Sequence, residues 1–192
     1  MNHLPEIFPN IQWFISAYQN KELNLLSEFP NSLFKFTNKY TIAGPNQLQI
    51  LTVPLIAHTK SDSFQKVQID YTQKWIKEHK NAMQTAYGKS PFFEYYDYRI
   101  FDIFDQNIIE LSEFNQKLLE LLLKLIGLND ISIKTADYQE NIEIFSQNNS
   151  QNFVPEYTQV FEDRFGFRPQ VSILDLLFNQ GPLCKEYFES FI

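Results

Sequence analysis

The stretch SLFKFTNKYTIAGPNQLQILTVPL, residues 32–55, is the clearest β signal in the chain. Alternating and β-branched residues flank AGPN at 43–46, a turn signal built on glycine and proline. The pattern predicts a strand near 38–43 paired with one near 47–53. KVQID at 66–70 is a third short strand candidate, and the polar AHTKSDSFQ before it reads as a loop. On the N-terminal side, HLPEIF at 3–8 reads as a short strand or an extended arm, since Pro5 suits a sheet edge. In NIQWFISAYQN, Asn10 can cap a helix whose Ile11, Phe14, Ile15 and Tyr18 share one face. ELNLLSEF at 22–29 fits either a strand or a helix.

Beyond residue 70 the chain reads as helical. Asp70 or Thr72 can cap a helix running to Tyr87, with Gly88 as its stop. Ser90 can cap the next, with Pro91 at its first position. Residues 106–126 carry the strongest periodicity: Leu111, Phe114, Leu118, Leu121 and Leu125, widened by Leu119, Leu122 and Ile126, with Gly127 at the end. This stripe suits a core helix, and a homodimer seam is its alternative. Residues 137–153 suggest a loop with a short helix, and Pro155 the start of a helix EYTQVFEDRF. In VSILDLLFNQGP, Ser172 and Asp175 have the spacing of a capping box, and Gly181 with Pro182 ends the helix. The expected fold is α+β: one helix-rich domain spanning 1–192 around a small, mainly antiparallel sheet, with α/β as the alternative.

Composition bounds the function. The 192 residues suit one domain with a full core, and their 44% apolar and 20% charged content is that of a soluble protein. A net charge of −7 argues against nucleic acid and against an anionic membrane as partner. No run is long and apolar enough for membrane insertion: LLELLLKLIGL at 118–128 is too short and contains Glu120 and Lys124. The lone Cys184 allows no intrachain disulfide, and with no signal-like start the expected compartment is reducing cytoplasm. The 19 Phe, 10 Tyr and 2 Trp either fill a core or line a cleft.

No phosphate loop and no nucleophile elbow occurs. His3, His58 and His79 stand far apart, so spacing points to no metal site, and no cofactor is indicated. His79 has the most specific setting. Tyr71, Trp75, His79, Ala82 and Ala86 share one helix face, opposite Lys74, Lys77, Glu78, Lys80 and Asn81. An inward histidine can act as a general acid or base, or can bond a backbone carbonyl while packing. Asn38 with Lys39, before a strand, can hold an anion or form a solvated turn. Phe92, Phe93, Tyr95, Tyr96 and Tyr98 can wall a cleft or belong to core and rim.

FPNIQWF at 8–14, TNKYTIA at 37–43, LTVPL at 51–55, IDYTQKWIKEHKNAMQTAYGKSPFFEYY at 69–96 and VSILDLLFNQGP occur in a telling order. In that order they resemble the WbqC-like protein family, in particular its short Bacteroidetes-type members. The matching positions are Pro9, Asn38, Trp75, His79, Tyr87, Pro91, Ser172 and Asp175, with Lys39 where many relatives have arginine. The opening departs from the Q-P-x-Y-F-P-W pattern of longer members, with Leu4, Ile7 and Asn10 at its glutamine, tyrosine and tryptophan. Longer members also carry an extra region before the ending. Members occur near genes for O-antigen and other surface polysaccharides. The resemblance therefore implies a cytoplasmic step on a nucleotide- or lipid-linked sugar.

Two readings follow. In the first, the chain is a transferase that moves a group onto a sugar, with His79 as acid and base. Trp75 and Tyr87 then form a stacking wall, and Asn38 with Lys39 holds an anion or amide. In the second, it is a non-catalytic binding or scaffold protein of the same pathway. A pocket lined by His79, Asn38 and Lys39 favours the first; a sealed His79 favours the second.

Overall fold

A computed structural model describes residues 1–57, 63–139, 144–145 and 154–191 of the chain. Strand β1 (Asn2–His3) leads into helix α1 (Ile11–Asn20), then strand β2 (Glu22–Glu28). Asn10 caps α1 as predicted, its side-chain oxygen accepting from the Trp13 amide at 2.9 Å. β1 and β2 pair in parallel, Asn2 beside Asn24 and His3 beside Leu25. Parallel neighbours need a crossover, and α1 supplies it. The connection before α1 is tight: buried Phe8 takes a φ of 44°, a conformation bulky residues rarely adopt.

The stretch at 32–55 forms the predicted hairpin. Strand β3 (Lys39–Ala43) pairs antiparallel with β4 (Leu48–Thr52), in register from Lys39 with Thr52 to Ala43 with Leu48. KVQID contributes only isolated bridges, Leu55 with Ile69 and Gln68 with Glu110, after a 3-10 turn at Phe64–Lys66.

Three helices follow: α2 (Trp75–Tyr87), α3 (Phe93–Asp105) and α4 (Leu111–Leu125). Their predicted caps are corrected. Asp70 accepts from the amide and hydroxyl of Thr72 in a local turn, so α2 starts later, with no side-chain cap. Ser90 does not cap α3 either, because its buried hydroxyl has no partner among the described residues. Gly88 does end α2, but at φ −60°. Glycine is needed there for closeness, since a Cβ would lie 2.5 Å from the Gln84 carbonyl oxygen. The leucine stripe of α4 is core: Leu111, Phe114, Leu118 and Leu122 are fully or almost fully buried within the chain. The aromatic cluster of α3 splits, Phe93 facing the core while Tyr95 and Tyr98 face outward.

Strand β5 (Ser132–Asp137), not anticipated, adds to β2 in parallel. The main sheet, ordered β1-β2-β5, is therefore parallel, and only the hairpin is antiparallel. The mixed α+β content stands while the expected strand direction is corrected. The predicted loop and short helix at 137–153 lie largely outside the described residues. The helix expected from Pro155 shrinks to α5 (Glu162–Phe165), because the residues before it run irregularly to meet the core. Helices α6 (Ile173–Gln180) and α7 (Cys184–Glu189) complete the chain. At Gly181, between them, φ is 52° and a Cβ would meet the Phe92 ring at 2.4 Å.

Candidate functional site

Trp75 and His79 lie one turn apart on the inward face of α2. Their rings meet edge-on with centroids 5.1 Å apart, and Tyr40 and Phe104 close around the imidazole at 5.5 and 6.2 Å. His79 is 3% exposed. The Thr52 carbonyl can only accept, so Nε2, 3.2 Å away, carries the proton and donates. Nδ1 then accepts from the Tyr40 hydroxyl at 3.0 Å. Burial lowers the His79 pKa to about 4, against a smaller raising effect of the Thr52 bond. At neutral pH the ring is uncharged and both nitrogens are engaged, leaving no free lone pair for a general base.

Tyr87, at the other end of α2, is also buried; its hydroxyl accepts from the Ala43 amide at 3.1 Å. Nearby lies the fully buried Asp175. One of its oxygens accepts from the Tyr157 hydroxyl and from Gln159 Nε2, each at 2.8 Å. Burial raises its pKa to about 6, against the pull of hydrogen bonds from Tyr157, Gln159, Tyr87 and Asn179.

The capping box is therefore corrected. Ser172 occupies the cap position of α6, but its hydroxyl caps nothing. Its amide donates to the Thr41 carbonyl at 2.8 Å, so Asp175 has no cap amide to reach and turns inward instead.

Asn38 and Lys39 part company by strand alternation. Asn38 is buried, its Nδ2 donating to the Val53 carbonyl at 2.8 Å, and Lys39 is exposed. Trp75 and Tyr87, at 2% and 1% exposure, present no ring face to a ligand. The structure thus gathers Asn38, His79, Tyr87 and Ser172 as pins around the β3–β4 hairpin, with Asp175 behind them. Burial of His79 and Asn38 separates them from exposed Lys39. Among the described residues no group of three or more His, Cys, Asp or Glu is placed to hold a metal. His58 lies outside the described residues.

The chain opens elsewhere. A cavity of about 260 Å³ lies between one face of the parallel sheet and α4. Leu25, Ser27, Ile133 and Thr135 line it from β2 and β5; Ser112, Asn115 and Gln116 line it from α4. Pro5 and Glu6, from the β1–α1 connection, complete one wall. Asn115 Nδ2 donates to the Pro5 and Thr37 carbonyls at 2.7 and 2.8 Å. Two carbonyl partners fix the amide's orientation, and Oδ1 is left buried without a partner among the described residues. Asn115 carried a sequence signal that periodicity could have caught: a polar residue on the apolar face of Leu111, Leu118 and Leu122.

Wider depressions are lined by Glu28–Ser32 with Asp137 and Tyr138, by the hairpin turn with Glu78, Asn81 and Thr85, and by Tyr71 with Lys74, Lys77 and Lys80. No described helix is long and apolar enough to cross a membrane.

The model of the WbqC-like protein family matches residues 5–144. The matched span holds the β1–α1 connection, the hairpin, α2 and α4, and leaves out Ser172 and Asp175. No curated protein and no solved structure matches the chain.

Proposed function

Because the chain belongs to the WbqC-like protein family, we propose that it serves surface-polysaccharide biosynthesis by binding a nucleotide- or lipid-linked sugar precursor. His79 is part of its scaffold in this reading. The observation that carries it is the closure of His79, with Nε2 on the Thr52 carbonyl, Nδ1 on the Tyr40 hydroxyl and a pKa of about 4. The transferase reading puts His79, Asn38 and Lys39 on one ligand. Packing puts the first two in the interior and the third in solvent.

A thermal-shift screen against nucleotide sugars, nucleotides and acyl or aminoacyl donors tests the binding, with product mass read in parallel. A specific ligand at a hundredfold excess over its Kd adds about 2.7 kcal/mol of apparent stability. The expected result is a shift by a sugar-bearing compound, no new product mass, and a similar shift in a folded His79→Gln chain. In the host, removing the chain is expected to alter the surface glycan, and the His79→Gln chain to restore it. Turnover that a folded His79→Gln chain loses would overturn the reading in favour of the transferase.

A further inference from the structure

We infer that the cavity between the parallel sheet and α4 is a binding site for one neutral, polyhydroxylated sugar unit, with Ser112, Gln116, Ser27 and Thr135 supplying its hydrogen bonds. Two observations meet there.

The first is position. Ser27 from near the end of β2, Thr135 from the middle of β5, Pro5 and Glu6 from the segment after β1 and Ser112 with Gln116 from α4 converge on one cavity.

The second is unspent polarity. Asn115 is 1% exposed, with Nδ2 held by two carbonyls and Oδ1 unmatched among the described residues. A buried acceptor left unmatched costs about 1–3 kcal/mol. Folding tolerates that cost here beside a cavity rather than in a packed interior.

The lining sets the class of ligand. Hydroxyl and amide groups both donate and accept, as a sugar hydroxyl does. Leu25, Leu119 and Ile133 offer apolar surface to the C–H face of a sugar ring. Glu6, 4% exposed, is the one charged residue among the described lining residues, so no described cation lines the cavity to hold a phosphate. At about 260 Å³ the cavity falls below the roughly 300–1,000 Å³ of sites for drug-sized ligands. It takes one sugar unit and leaves any linked phosphate outside.

The choice of a sugar rests on the pathway reading above. The test therefore uses free glucose, galactose and N-acetylglucosamine, with glucose 6-phosphate as the anionic control. Binding is read from backbone amide NMR shifts. Thr135 is exposed on an outer strand, so Thr135→Trp fills the cavity without removing core; Gln116→Ala is a milder second variant.

The expected result is that at least one neutral sugar moves the Ser27, Ser112 and Thr135 amides. The phosphorylated sugar binds no tighter, Thr135→Trp weakens binding at least tenfold, and Gln116→Ala weakens it less. No sugar binding to the native chain, shifts confined to another region, or unchanged binding in a folded Thr135→Trp chain would each overturn the site. Nucleotide-sugar binding that survives Thr135→Trp would remove this site and leave the pathway reading. Sugar binding here with an unaltered host glycan would do the reverse.

Discussion

At His79, a residue type suited to catalysis serves packing because its surroundings use both nitrogens. Replacing it with alanine leaves the Tyr40 hydroxyl and the Thr52 carbonyl without their partner and opens a void beside Trp75. The expected loss is about 3–5 kcal/mol, measured by urea unfolding at neutral pH. His79→Gln keeps a donor and an acceptor and should lose less. Asp175 behaves alike. Asp175→Ala removes the acceptor of the Tyr157 hydroxyl and one of the acceptors of Gln159 Nε2, which keeps the Arg168 carbonyl, and a loss of about 1–3 kcal/mol is expected. Asp175→Asn keeps an acceptor and removes the cost of burying charge, so it should destabilise far less. Equal losses for the two Asp175 variants would contradict this account of the network.

At the scale of elements, local signals carried what local physics decides. Asn10 capped α1 and the 43–46 turn closed the hairpin, because both depend on a few neighbouring residues. β2 was ambiguous and β5 unseen because each is fixed by parallel pairing with distant strands, which leaves no two-residue period or turn in sequence. The capping box failed for a tertiary reason, since the Thr41 carbonyl had taken the Ser172 amide. The candidate site was legible in the same uneven way. Sequence placed His79 inward with Trp75, but could not show that Thr52 and Tyr40 occupy its nitrogens. One prediction belongs at this scale. Lys21 ends α1 at φ 51° and is exposed. Lys21→Gly should stabilise the chain by about 0.5–1 kcal/mol in thermal unfolding, since glycine adopts that conformation without steric cost.

For the whole molecule, buried titratable groups set the acid response. His3 and His79 are both held near a pKa of about 4 by burial, against 6.5 when unfolded. The unfolded chain therefore binds more protons below pH 6.5, and stability falls as pH drops from 6.5 toward 4. By pH 5 each histidine accounts for about 2 kcal/mol. Asp175 works in the opposite direction. Its folded pKa of about 6 exceeds the ordinary 3.8, so acid relieves its burial between pH 6 and 4. Two histidines outweigh one aspartate, and the Tm should drop between pH 7 and pH 5. The drop should be smaller in His79→Gln.

The imidazole of His79 offers the most direct test of the claim that this histidine belongs to the scaffold. Nitrogen-detected NMR of the three histidines across pH 3.5–8 reports both tautomer and titration. The structure predicts a neutral Nε2–H ring at His79 that stays unprotonated down to about pH 4, with or without a bound sugar. A midpoint near 6.5, or a tautomer that changes when ligand binds, would contradict it.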